Sequence, residues 1–141
     1  MREILFRGKD ADGEWVYGAY LHQTLFYGDP IDKHWIIEHG EFDYDCYYSH
    51  KVIPETVGQY TGLTDKNGTK IFEGDIIQYC GTYPLEVFIE EGHTKIRWFD
   101  SATKSKCSQL FFGGNDEAYG EFEVIGNIHD NPELLEVQSN V

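Results

Sequence analysis

The chain is poor in the materials from which most recognisable functions are made. Basic residues are scarce: 11 Lys and Arg stand against 25 Asp and Glu, a formal net charge of −14 in 141 residues. Non-specific affinity for a phosphate backbone comes mainly from Lys and Arg, so this balance argues against direct binding to nucleic acid. No apolar run approaches the roughly 20 residues of a membrane-spanning helix. The opening Met1-Arg2-Glu3-Ile4-Leu5-Phe6-Arg7 also lacks the long apolar core of a secretory signal. The expectation is a cytoplasmic protein with no membrane partner. Cysteine is sparse, with Cys46, Cys80 and Cys107 odd in number and irregular in spacing. That pattern fits reduced thiols rather than a disulfide framework.

Signatures of catalysis are missing too. The pair Gly113-Gly114 is not followed by the Lys-Ser or Lys-Thr of a phosphate loop. Asp10-x-Asp12 lacks the glycine and glutamate that a calcium loop would require at Trp15 and Leu21. Cys80 has no activating base near it in sequence. His22, His34, His39, His50, His93 and His129 lie in separate segments without a Cys-x-x-Cys, and a zinc site needs about four ligands at tight geometry. The sequence therefore assigns no catalytic residue, no cofactor and no metal set. Its best carboxylate pair flanks a glycine, Glu73-Gly74-Asp75. There the simpler reading is a turn in which Asp75 accepts from local backbone amides at the start of a strand.

What is abundant is aromatic and β-branched residues, cut into short runs by glycine. Aromatics make up 16% of the chain and there are 15 glycines. Such residues suit a pleated, half-buried surface, and the runs are too short and unperiodic for helices. The central stretch is residues 57–77, where Asn67-Gly68 marks a tight turn of the type I′ hairpin class between two strand-like runs. Gly58, Gly62, Asn67, Gly68, Gly74 and Gly126 are expected to serve backbone geometry. Asp12-Gly13 repeats the turn chemistry: residues 10–17 align without gaps to residues 65–72, an acidic turn followed by a β-branched residue and an aromatic. Short apolar strands are expected at Ile4-Leu5-Phe6 and Trp35-Ile36-Ile37, a loop at Tyr27-Gly28-Asp29-Pro30, and a hairpin about Glu90-Glu91-Gly92-His93. Pro54 argues against a central strand there. Asn131-Pro132 opens at most a turn or two of helix before Leu134-Leu135.

Three blocks of this chain carry a family resemblance. The first is the opening heptapeptide. The second runs from Glu55-Thr56-Val57-Gly58-Gln59-Tyr60-Thr61-Gly62-Leu63 through Asp65-Lys66-Asn67-Gly68 to Ile71-Phe72-Glu73-Gly74-Asp75-Ile76. The third is Glu123-Val124-Ile125-Gly126-Asn127-Ile128 with Asn131-Pro132-Glu133-Leu134-Leu135. In this order they resemble the YopX-like proteins of bacteriophages and prophages. Residues 28–50 match no family pattern. The resemblance implies a phage or prophage gene acting in a bacterial cytoplasm, and it brings no activity and no catalytic residues.

The resulting expectation is a mainly β protein with a small antiparallel barrel, SH3-like or otherwise curled, and little helix. Residues 1–56 add N-terminal strands or a small lobe, and residues 57–141 hold the barrel-like part, unless the two form one domain. Surplus tyrosines, Tyr44, Tyr47, Tyr48, Tyr79 and Tyr83 among them, mark possible interfaces, because such rings offer area with one polar end. Function then divides two ways. One reading is a non-catalytic accessory module that self-associates or binds a host or phage protein. The other is a small metal-dependent hydrolase or nuclease with carboxylates around Glu73 and Asp75.

Overall fold

A computed structural model of the chain describes residues 3–39, 47–79, 84–100, 105–110 and 122–136. The described residues are dominated by antiparallel strands in two sheets, with one four-residue helix. The mainly β expectation holds, and the strands form two open sheets rather than a closed barrel. The chain divides into two compact units, Met1–Tyr60 and Thr61–Val141.

The first unit contains β1 (Phe6–Lys9), β2 (Trp15–Phe26), β3 (Asp29–His39), β4 (Tyr47–Lys51), a 3-10 turn (Pro54–Thr56) and the start of β5 (Gly58–Thr64). Their order in the sheet is β4-β3-β2-β1-β5. Pro54 opens the 3-10 turn, where its missing amide proton is not needed. The interior of this unit is small. Ile36, Val52 and Tyr60 are buried, as is Arg7, whose guanidinium lies over the Trp15 ring at 4.5 Å. Gly8 lies within β1, where an added Cβ would sit 3.2 Å from Val52.

In the second unit β5 continues beside β6 (Lys70–Phe72), and β7 (Asp75–Tyr79), β8 (Leu85–Glu90), β9 (His93–Asp100), β10 (Ser105–Leu110) and β11 (Phe122–Asn127) form a sheet of order β10-β9-β8-β7-β11. Alternate residues point to one face of a strand, and one face of this sheet joins residues of β5 and β6 in a contiguous core. Ile71, Ile77, Leu85, Val87, Ile96 and Phe122 are buried in it, with Leu63, Tyr79, Trp98 and Val124 packed at its margin. Each such aliphatic side chain contributes roughly 1.5–3 kcal/mol on burial, so this cluster is the principal source of stability in the unit. The helix α1 (Glu133–Glu136) follows a loop in which Asn131 Oδ1 accepts the Asn127 amide at 3.3 Å.

Two of the turns are chemical copies. At residues 65–69 the Gly68 amide donates to Asp65 O, and Asp65 Oδ1 accepts the amides of Asn67 and Thr69. At residues 10–14 the Gly13 amide donates to Asp10 O, and Asp10 Oδ1 accepts the amides of Asp12 and Glu14. In both, the glycine alone is left-handed, at φ 81° for Gly68 and 83° for Gly13. The type I′ expectation for Asn67-Gly68 is therefore corrected. A carboxylate that clamps two amides ahead of it keeps Asn67 out of the left-handed region, leaving a type I turn that ends on glycine. True two-residue turns with both φ values positive occur at Tyr27-Gly28 (49°, 84°) and Glu91-Gly92 (53°, 78°). An added Cβ at Gly68 meets nothing within 4 Å, so Gly68→Val should lose only the conformational term, about 1–2 kcal/mol. Chemical denaturation of the variant checks this value. An unchanged midpoint would mean that position 68 tolerates a β-branched residue at positive φ.

Candidate functional site

The strands β2 and β3 are 12 and 11 residues long, although their sequence promised only short runs. Their neighbours stop early. β1 pairs with β2 as far as Gly18, and β4 pairs with β3 as far as Trp35. Beyond those points the chain continues as a hairpin of two strands closed by Tyr27-Gly28, with Phe26 opposite Asp29. A two-stranded hairpin buries little and is marginal alone, so its side chains must account for it.

Near the base of this arm, the register carries the arrangement. Phe26 faces Asp29 and Leu25 faces Pro30, but Gln23 faces Lys33 and His22 faces His34. Two residues of β3, Ile31 and Asp32, thus oppose the single Thr24 of β2, which is a β-bulge. Without that extra residue the outer register would set His22 against Lys33. With it, His22 and His34 share a cross-strand pair, and Asp32 lies two residues from His34, at the bulge.

The three side chains converge. His22 Nε2 donates to Asp32 Oδ1 at 2.7 Å, and His34 Nε2 lies 3.1 Å from the same oxygen. The two imidazoles stack at 4.1 Å with an interplanar angle of 11°. Tyr20, on the same face of β2, donates its hydroxyl to His34 Nδ1, and its ring packs against Phe6 at 5.7 Å. The His22 hydrogen bond is the largest influence holding the Asp32 carboxyl below its ordinary range, and the His34 imidazole assists. Burial, with the Asp32 carboxylate second, raises the Tyr20 hydroxyl. On the other face Trp35 Nε1 donates to Gln23 Oε1 at 3.0 Å.

The tip is apolar and open to solvent. Leu25 is 62% exposed, Phe26 55% and Tyr27 93%. The Phe26 and Tyr27 rings meet edge to face at 4.6 Å. Tyr27 holds a positive φ, uncommon for so bulky a residue.

The expected turn and interface residues are placed as follows. Gly58 faces Arg7 in β5, and Gly62 and Gly74 are left-handed at 88° and 93°. Gly126 sits where the β11–β7 register shifts, and a Cβ there would stand 2.6 Å from Asn131 Oδ1. Tyr48 is exposed in β4 opposite Glu38, and Tyr47 lies opposite His39. Tyr79 packs at the margin of the core with its ring 5.2 Å from Phe122. Tyr44, Tyr83, Cys80 and Gly113-Gly114 lie outside the described residues. Asp75 is 2% exposed and its Oδ2 accepts the Phe72 amide at 2.7 Å, the strand-start role that a turn demands. Among the described residues, the one group of three potential metal-ligating side chains is His22, Asp32 and His34, and no helix is long and apolar enough to cross a membrane.

The family model of the YopX protein matches residues 5–136. The chain belongs to the YopX family. Its fold is similar to that in the crystal structure of protein EF1440 from Enterococcus faecalis, at a TM-score of 0.55 and 24% identity. That likeness covers 96% of this chain and 99% of the other. No curated protein matches this YopX chain. The match includes residues 28–50, where the sequence alone offered no family pattern, and so takes in the arm.

Proposed function

We propose that this YopX protein is a non-catalytic, self-associating accessory module of a phage or prophage, working in the bacterial cytoplasm. The element that associates is the tip of the β2–β3 arm, and the partner is a second copy of the chain. The supporting observation is the run Leu25-Phe26-Tyr27, three large side chains each more than half exposed at the end of one hairpin. Large exposed apolar patches on soluble proteins often mark interaction sites. A two-fold contact lets the same patch serve both copies, and aromatic rings give area at low entropic cost. The net charge of −14 acts against this association rather than for it.

That opposition makes the proposal testable. Light scattering at high micromolar concentration should give a multiple of the 16.3 kDa chain mass. The double variant Phe26→Ser/Tyr27→Ser should return the single-chain mass without loss of fold. Added salt screens the repulsion between two acidic copies, so wild-type association should tighten as salt rises. A wild-type monomer at that concentration, or association unaffected by the double variant, would overturn the reading.

A further inference from the structure

The geometry points to a divalent transition-metal site on the arm, formed by His22, Asp32 and His34, with Zn²⁺ as the ion of fitting chemistry. This site is independent of how the tip is used.

Three observations carry it. First, one Nε2 from each imidazole and a carboxylate oxygen lie within 4.8 Å of one another. The His22 and His34 Nε2 atoms lie 2.7 and 3.1 Å from the same oxygen, Asp32 Oδ1. Ligand atoms about 2.0–2.2 Å from a tetrahedral zinc stand a little over 3 Å apart, so the trio is close to that spacing, and binding requires the two stacked rings to tilt apart so that both nitrogens aim at the ion. Second, the set is assembled by a bulge, the device by which strands re-aim a side chain. The bulge both places Asp32 and brings His22 opposite His34. Third, His34 has an outer partner. When Nε2 binds an ion, Nδ1 carries the proton, and it faces the Tyr20 hydroxyl oxygen. Outer hydrogen bonds of this kind fix ring orientation at metal sites.

Two imidazoles and one carboxylate suit zinc and its neighbours in the transition series, whereas calcium and magnesium prefer oxygen throughout. The exposure of His22 and Asp32 leaves room for water in the remaining coordination positions. The arm also has a use for the ion. Its outer part is two strands with little beneath them, and a clip joining β2 to β3 ties them where hydrophobic burial does not.

The test is titration of the untagged, chelator-stripped and reduced full chain with Zn²⁺ alone against a competing chromophoric chelator. Wild-type protein should show a site that weakens at least tenfold in His22→Ala and in Asp32→Asn and is retained in His93→Ala. Tyr20→Phe, which keeps the ring and removes the oxygen, should weaken it by about tenfold. Hydrogen exchange supplies a second readout: Zn²⁺ should slow the amides of β2 and β3 in wild type and leave those of His22→Ala unchanged. Absence of Zn²⁺ binding, or binding that His22→Ala and Asp32→Asn together leave intact, would overturn the assignment.

Discussion

Replacing Gly18 with alanine is expected to destabilise the first unit by about 3 kcal/mol, the upper end for overpacking a rigid site. Gly18 lies in β2 opposite Phe6, and an added Cβ would stand 2.2 Å from the carbonyl oxygen of Ile37 and 2.8 Å from its carbon. These are backbone atoms of β3, so no side-chain rotation can relieve the clash. The strands must part where the arm leaves the sheet. Gly13→Ala is the informative control, because Gly13 is left-handed at 83° and an added Cβ there meets nothing within 4 Å. It should cost about 1 kcal/mol, the penalty of a positive φ alone. Urea denaturation of the two variants checks the difference. Equal losses would mean that β2 and β3 do not approach as described.

Asp65→Ala should cost about 3 kcal/mol, and Asp10→Ala about 1 kcal/mol, although the two turns are copies. Both carboxylates clamp two amides of their own turn through Oδ1. Asp65 does more: it is 8% exposed, and its Oδ2 accepts the Val124 amide at 3.0 Å, joining the turn to β11. Removing it strands three amide donors, one of them in a strand on the far side of the sequence. The Asp10 turn lies at the surface, where water replaces the lost acceptor. At this chain length the Asp65 loss corresponds to a fall in melting temperature of roughly 10 °C. Equal losses at the two positions would show that the bond to Val124 contributes nothing.

The turns were legible because their chemistry is local. The alignment of residues 10–17 with residues 65–72 identified two hairpins that share the same hydrogen bonds. The conformation of Asn67 was not legible, since Asn-Gly also suits a type I′ turn and the decision rests with the Asp65 carboxylate two residues earlier. Conversely, Tyr27-Gly28 and Glu91-Gly92 form the two-residue turns without the usual asparagine. The length of β2 and β3 was hidden for a different reason. With little core beneath the arm, no alternation of apolar and polar residues is imposed on residues 20–34. The His22, Asp32 and His34 group depends on a one-residue bulge, and a shift of one residue would have set His22 against Lys33. Composition does not encode such a register; the hydrogen-bonded pairing does.

Amide NMR spectra recorded over a dilution series test most directly whether the arm tip joins two copies of the chain. On dilution from high micromolar concentration, the largest shift and linewidth changes should fall on Leu25, Phe26, Tyr27, Gly28 and their cross-strand neighbours. The Phe26→Ser/Tyr27→Ser variant should give spectra independent of concentration. Changes centred on the edge strand β4 or on β10, with the tip resonances unmoved, would contradict the claim.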